Sequence, residues 1–372
     1  MSENKVLNGI WLLIIGIGII TGLYTAYRVF SEGHVIYAAN DIIFWTLPLG
    51  SYMFFALTST GLAFVASASI VFGIKKYEPV SKRATFLALA ALTGAFMSLI
   101  LELGAPWNMI NYLITPNPLS TLWWMGLLYG FYLLFLIITF LKLHKGGNAK
   151  IPGLLMFLFG ISATPTLGAT IGLTESRAAF FGAFMPVSFI LAALLSGIAA
   201  IILVTVVKNM LSNKVMSSSQ VSLFNELGKV FGLIIGMVLF LFIWRTIVGL
   251  YASSPGFGAF DYIVRSFPYH FELWLGLLLP FIIMVVPSLR ENVKMVAVAS
   301  ALVLMGMFSS RMELLLEGQA IPLGPRAIGQ PEFIFYFPNI PELLVVVFSF
   351  SVILLVYTIG EKYLNLEGSA GQ

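Results

Sequence analysis

The sequence of 372 residues contains no cysteine and only three histidines, His34, His144 and His270. Without cysteine the chain cannot form disulfides, thiolate zinc sites or cysteine-ligated iron–sulfur clusters, and it cannot use a thiol in catalysis. A haem inside a helix bundle needs two facing imidazoles, and these histidines fall at the ends of apolar segments or in connections. We therefore expect no haem, no iron–sulfur cluster and no metal site in this chain.

The sequence also lacks the short motifs that mark common soluble enzymes. It contains no Walker loop, no dinucleotide fingerprint and no G-x-S-x-G nucleophile elbow. The formal net charge of +4 is small, and it is explained by loop charges that orient a membrane protein, so no nucleic-acid partner is expected. Any chemistry must then involve a diffusible molecule or a protein partner.

Charge is scarce as well, at 10% of the residues, whereas hydrophobic residues make up 59% and the mean hydropathy is +0.97. Soluble domains contain about 25% charged residues, so this chain cannot cover a water-facing surface. A membrane-spanning helix needs about 20 mostly apolar residues, and the sequence predicts an all-α polytopic membrane protein with ten such helices. They are predicted at residues 7–30, 42–74, 84–104, 119–142, 151–173, 178–207, 222–250, 270–288, 293–316 and 341–363.

Basic residues alternate between the two sides of these predicted helices. Thirteen of the 20 lysines and arginines fall in one set of alternate connections and terminal segments, and the opposite side has no lysine at all. Because lysine and arginine accumulate on the cytoplasmic side, both termini are expected to be cytoplasmic. We expect a multi-pass, lipid-embedded protein of the inner (cytoplasmic) membrane.

The outer connections, residues 31–41, 105–118, 251–269 and 317–340, are long, poorly charged and rich in proline, glycine and aromatic residues. One interpretation is an aromatic belt at the level of the lipid headgroups. The other is a platform on which a partner subunit docks. The sequence leaves both interpretations open.

Two pairs of segments suggest an internal repeat. Residues 124–128 (WMGLL) resemble 274–278 (WLGLL), and the Pro-to-Gly stretch 48–61 resembles 186–197. Since the paired segments lie four helices apart, they point the same way, which predicts two parallel four-helix bundles, spans 2–5 and 6–9, with two flanking helices. The expected units are 1–40 (flanking helix), 41–176 (first bundle), 177–316 (second bundle) and 317–372 (outer loop and last helix).

Glu102 is an ionisable residue inside an apolar span. It lies 19 residues beyond Arg83, or roughly 28 Å along a helix, which places it near the outer edge of the hydrocarbon. Long arginine side chains can reach the headgroups from such positions, but a carboxylate has a shorter arm. We therefore expect Glu102 to have a function, such as exchanging protons.

Other charged residues form two further predicted groups. A charged cluster in the second bundle is expected to be either a proton path or a salt-linked outer cap. It comprises His270, Glu272, Arg311 and Glu342. At the inner end, Glu226 and Lys229 are expected either to pair with each other or to form the inner mouth of a path.

Several segments, taken in order along nearly the whole chain, resemble the NrfD / polysulfide-reductase membrane-subunit family. The Leu-Glu-Leu-Gly-Ala-Pro stretch at 101–106 is similar to its acidic-Leu-Gly-x-Pro signature, with Glu102 for the usual Asp and Ala105 where Arg is common. Ala178 likewise stands where a Pro is expected. Ten helices match the longer branch of the family. The other similar segments are 47–61, 166–177, 184–197, 310–311 and 336–342.

This resemblance implies a quinone-reactive, non-autonomous subunit of a respiratory oxidoreductase, with menaquinone or ubiquinone bound near the outer face of the first bundle. It also implies an outer four-cluster ferredoxin-like iron–sulfur subunit and a catalytic redox subunit as partners. Quinone chemistry needs an apolar slot, donors for the carbonyls and a proton route. Glu102 is the expected proton donor or acceptor, and Tyr52 the expected carbonyl donor. Four further pocket candidates are Trp107, Asn108, Thr170 and Arg177.

The sequence leaves two other functions open. The repeat is also compatible with an ion or solute transporter, although the sequence has no evident pair of broken helices. A passive membrane anchor for partner subunits is the other alternative. Whether quinone chemistry is linked to proton movement is open too.

Overall fold

The computed structural model describes residues 5–366 except 178–179, 213–215, 217, 253–258, 321 and 323–332. Over these residues it is α-helical without strands, and ten helices are long and apolar enough to cross a membrane, which confirms the predicted fold class. They are α1 (Lys5–Glu32), α2 (Leu47–Ile70), α3 (Glu78–Glu102), α4 (Thr121–His144), α5 (Lys150–Gly172), α6 (Phe184–Leu211), α7 (Ser218–Tyr251), α8 (Phe267–Val285), α9 (Val293–Ala320) and α10 (Ile340–Tyr363).

The helices form two groups of four and one flanking pair. Helices α2 to α5 pack around one another, and so do α6 to α9. The groups meet chiefly along α2 and α6, while α1 and α10 pack together and α10 lies against α3. In its most apolar stretch α2 is 83% buried, against 17% for α7, so α2 is central and α7 faces lipid. The proposed unit boundaries at 40, 176 and 316 stay a prediction.

Helix α8 has an irregular course. Between Phe267–His270 and Leu279–Val285, residues Phe271–Leu278 form a π-helical stretch. Pro280 follows it, and a proline inside a helix removes a backbone donor and disturbs the turn before it. A π-helical turn often accompanies a functional position, and this one carries Glu272.

The contact between the two groups depends on two glycines. A Cβ atom at Gly61 of α2 would overlap the carbonyl oxygen of Ala193, and one at Gly197 of α6 would overlap the Gly61 backbone. Small residues let membrane helices approach this closely. Any side chain at either position would therefore force α2 and α6 apart.

Charged residues at the end of the molecule opposite Glu102 join helices from both groups. Glu361 of α10 accepts from Arg83 Nε at 2.9 Å and from Lys208 Nζ at 2.5 Å. Arg83, which the sequence places at the inner start of its span, is almost fully buried. Glu226 pairs with Lys76 of the α2–α3 connection rather than with Lys229, its neighbour on α7.

Replacing Gly61 with alanine should destabilise the protein, because the added methyl group overlaps backbone atoms that cannot rotate away. Overpacking of this kind costs about 1–3 kcal/mol. We expect a lower melting temperature in detergent for Gly61→Ala. Gly130→Ala is the control, since a Cβ there meets no atom within 4 Å. Equal melting temperatures for the two variants would contradict the close packing of α2 on α6.

The predicted orientation can be tested with single cysteines, because the natural chain has none. Leu119→Cys lies in the α3–α4 connection at a position 97% exposed, and Lys145→Cys lies in the exposed α4–α5 connection. A membrane-impermeant maleimide should label the first in intact cells and the second only after permeabilisation. The reverse pattern would overturn the cytoplasmic assignment of the termini.

Candidate functional site

Glu102, the last residue of α3, is tied to the start of α2. One carboxylate oxygen accepts from the Thr46 backbone N–H at 2.9 Å, and the other accepts from the Thr46 hydroxyl at 2.7 Å. Thr46 is buried and stands immediately before the first turn of α2. The carboxylate therefore holds the chain at the point where α2 begins.

The residues before and at this turn, 44–47, form what we call the lead-in segment. All four backbone N–H groups of this segment donate to side chains from distant parts of the chain. Gln319 Oε1, at the end of α9, accepts from Phe44 at 3.0 Å and from Trp45 at 2.9 Å. The Tyr336 hydroxyl accepts from Leu47 at 2.9 Å. A helix start leaves such donors without partners, and these side chains supply the acceptors.

Tyr336 connects the lead-in segment to α10. Its hydroxyl donates to Glu342 Oε1 at 2.9 Å, while Glu342 Oε2 accepts from the Asn339 N–H at 2.6 Å in a capping box. Burial and the nearby Glu342 carboxylate raise the pKa of Tyr336 above its usual range, so the phenol stays a neutral donor. Glu342 thus lies at the Glu102 end of the molecule, not with Glu272 and Arg311.

Tyr52 lies in the interior of the first bundle, six residues beyond Thr46. Its hydroxyl points to Met125 Sδ at 3.9 Å, a weak acceptor, and it interacts electrostatically with the phenols of Tyr112 and Tyr129. The Tyr129 hydroxyl is buried without a hydrogen-bond partner. We call Tyr52, Tyr112 and Tyr129 the phenol cluster. Partial burial raises the pKa of Tyr112, so it too stays protonated at neutral pH.

The four remaining pocket candidates lie apart from this cluster. Trp107 is 66% exposed and Asn108 is exposed, both in the Pro106–Ile110 turn. The Thr170 hydroxyl donates to Leu167 O of its own helix. Arg177 is buried and donates to Gly318 O at 2.6 Å, which links the start of the second bundle to the end of α9. Of the six candidates, Glu102 bonds to the residue before α2 and Tyr52 lies buried on α2 itself.

His34 lies beside Gly104, in the turn that follows Glu102 (residues 103–106), which we call the Glu102 turn. In the sequence, His34 is only one of three histidines that cannot pair around a haem. Its ring stacks on Tyr37 with centroids 5.2 Å apart, and its Cε1 faces Gly104. Its Nε2 is buried without a hydrogen-bond partner. The imidazole and the Glu102 carboxylate therefore flank the same turn, an arrangement that only the fold of the 33–47 connection reveals.

In the second bundle, Glu272 and Arg311 line one cavity between α6, α7, α8 and α9. Arg245, also on the cavity wall, and Glu313 lie close enough to interact with them electrostatically. His270 is exposed and accepts from Trp274 Nε1 at 3.3 Å. The predicted charged cluster is thus divided: two members meet here, and Arg245 and Glu313 join them.

With this geometry in view, the model of the polysulphide reductase NrfD family matches residues 35–323 of the chain. An Hdr-like menaquinol oxidoreductase integral membrane subunit from Archaeoglobus fulgidus is 23% identical over 339 residues, covering 87% of this chain and 85% of that protein. A selenate reductase subunit from Mesobacillus selenatarsenatis is 25% identical over 62% of this chain and 63% of its own length. A proposed dimethyl sulfoxide reductase membrane subunit from Halobacterium salinarum is 21% identical, over 97% of this chain and 92% of that protein.

Removing the Gln319 acceptor should destabilise the lead-in segment. In Gln319→Leu the part-buried N–H groups of Phe44 and Trp45 lose their acceptor, which costs up to about 1–3 kcal/mol for each group that water cannot reach. We expect a lower melting temperature and faster proteolysis in the 33–47 connection. Asn108→Ala, an exposed change at the same end, is the control. A Gln319→Leu protein as stable as this control would show that the lead-in segment does not depend on the amide.

Proposed function

Because the chain belongs to the polysulphide reductase NrfD family, we propose that it is the quinone-reactive membrane subunit of a multi-subunit respiratory oxidoreductase. The match over residues 35–323 covers both helix bundles and the Glu102 turn. Among the relatives, the protein from Archaeoglobus fulgidus is named as a menaquinol oxidoreductase subunit. This name supports a quinone, either menaquinone or ubiquinone, as the molecule on which the subunit acts.

We place the quinone headgroup at the outer end of the first bundle, between the phenol cluster and Glu102. The observation that carries this placement is a set of buried polar groups with weak partners or none in an otherwise apolar interior: Tyr52 faces a thioether and Tyr129 faces no acceptor. A buried hydroxyl without an acceptor is costly, and a quinone carbonyl would supply one. Apolar side chains of α2 and α4 around these phenols would accept the ring.

Tyr52 and Glu102 have different roles in this proposal. A bound quinone supplies the two-electron chemistry, while Tyr52 donates a hydrogen bond that orients a carbonyl. Tyr52 lies six residues beyond Thr46, or about 9 Å along α2, so Glu102 cannot reach the same atom directly. Glu102 instead exchanges protons with the quinone site through the Thr46 hydroxyl, which donates a hydrogen bond to its carboxylate. His34 Nε2, buried at the same turn, is a second group able to pass a proton outward.

The partners implied are an outer four-cluster ferredoxin-like iron–sulfur subunit and a catalytic redox subunit. Support for an outer docking surface comes from large apolar side chains that project from the connections at this end. They are Val35, Trp107, Leu113 and Leu119. A patch of this kind marks a protein interface or a membrane-facing belt. When the iron–sulfur subunit is docked on this patch, electrons pass between its clusters and the quinone headgroup, across the Glu102 turn. The membrane would be the inner (cytoplasmic) membrane, with both termini cytoplasmic.

The central test compares Glu102→Gln and Tyr52→Phe in the purified complex by quinol turnover. Glutamine can still accept from the Thr46 N–H, so Glu102→Gln should assemble normally and yet lose about 100-fold in turnover, as expected for loss of a general acid–base group. Tyr52→Phe should weaken quinol binding with little effect on assembly. Tyr24→Phe is the control, because Tyr24 is exposed on α1.

Three outcomes would contradict the proposal. Unchanged turnover in Glu102→Gln would remove Glu102 from the proton route. Unchanged turnover in every phenol-cluster variant would favour a passive anchor. Solute or ion flux through proteoliposomes without any quinone would favour a transporter.

A further inference from the structure

The second bundle contains two adjoining cavities among α6, α7, α8 and α9, which together we call the recess. The first is an apolar groove of about 500 Å³, lined among others by Val187, Gly232, Gly236 and Phe281. Gly232 and Gly236 lie one turn apart on α7 and let that helix pack closely on Met284 and Phe281 of α8, while larger α7 side chains such as Leu233 and Phe240 also line the groove. Val187 is 52% exposed at its edge, so the groove opens toward the lipid.

A second, polar cavity adjoins this groove. Leu191 and Leu241 line both, so the two spaces share a wall. The polar cavity is lined by Arg245, Glu272 and Arg311 and is about 50 Å³ in volume, enough for the carbonyl-bearing edge of a ring or a few water molecules. An apolar groove therefore lies next to a buried polar cavity, with Leu191 and Leu241 lining both.

Arg311 has unused hydrogen-bonding capacity at this polar end. The residue is 6% exposed, its Nη2 donates to Ser310 Oγ at 3.1 Å, and its guanidinium lies 4.7 Å from the centre of the Phe189 ring. Its Nε and Nη1 are buried and have no hydrogen-bond partner. Within the described part of the chain no direct ion pair joins Arg311 to a carboxylate. A buried guanidinium with free donors indicates that an acceptor is missing.

The charges around Arg311 define the kind of acceptor. Arg245 and Arg311 face Glu272 and Glu313, so the cluster is formally neutral and does not attract an anionic headgroup. It offers donors from Arg311 and an acceptor from Glu272 on the cavity wall. A neutral head with a carbonyl or hydroxyl fits these groups, and a long hydrocarbon tail fits the groove.

We propose that this recess in the second bundle is a second binding site for an isoprenoid quinone, with the tail in the groove and a carbonyl accepting from Arg311. The proposal rests on the quinone chemistry proposed above but uses different residues and a different bundle. In the reduced form of the ligand, a hydroxyl can donate to Glu272. The recess would hold or exchange quinone at a position that the family match does not assign.

The test is photolabelling of the purified full chain in nanodiscs with an azido-substituted decyl benzoquinone, followed by peptide mapping. Wild-type protein should be labelled in both bundles. Arg311→Met should reduce second-bundle labelling about tenfold, as the loss of one charge-assisted hydrogen bond implies, and leave first-bundle labelling unchanged. Because this variant removes a positive charge that faces Glu272 and can impair folding, a second variant is needed.

Val187→Trp fills the groove from a lipid-facing position and leaves the buried charges intact. It should also abolish second-bundle labelling, whereas Val207→Trp, an exposed change on the same helix, should not. Wild-type labelling confined to the first bundle would overturn this inference and leave the proposed function standing. Labelling of neither bundle would overturn both. A phospholipid that is lost from Val187→Trp in native mass spectra and is not displaced by the quinone probe would also overturn the second site.

Discussion

Backbone N–H groups buried in an apolar region must find acceptors, and the start of α2 is where this constraint shapes the molecule. Within a membrane only the helix itself normally satisfies its backbone. The lead-in segment lies before the first turn of α2 and takes its acceptors from Glu102, Gln319 and Tyr336. These side chains belong to α3, to α9 and to the segment before α10. The most buried helix is therefore positioned by three remote parts of the chain at once.

The same constraint joins the two bundles at their Glu102 end. Trp45 of the lead-in segment stacks on Phe180 with ring centroids 5.9 Å apart, and Phe180 lies against Gly318 next to Gln319. Arg177 donates to Gly318 O in the same region. A change of protonation at Glu102 would alter a bond that anchors α2, and this contact could carry the change to the second bundle. The proposed proton route therefore runs through a bond that also fixes the packing of the bundles.

The sequence predicted the ten spans because length and hydropathy alone decide whether a helix crosses a membrane, and the family resemblance is confirmed. Counting residues from Arg83 likewise predicts Glu102 at the far end of its helix, and Glu102 is the last residue of α3. The pairing of side chains did not follow, because helices that are apolar on every side give no period that shows which face is buried. For this reason the sequence groups Glu342 with Arg311 instead of Glu102, and no pattern in it marks Glu313 or Glu361. The acceptors of the lead-in segment join residues up to 289 positions apart, a distance that no local pattern spans.

The proposed site of the quinone headgroup lies at the Glu102 end of the first bundle, beside the lead-in segment. The most direct measurement is a density map of the purified complex with quinone added. We expect headgroup density within hydrogen-bonding distance of Tyr52 or Tyr129, on the side of α2 that faces α4. A first bundle closed over these phenols, with headgroup density only elsewhere in the membrane or nowhere, would contradict it.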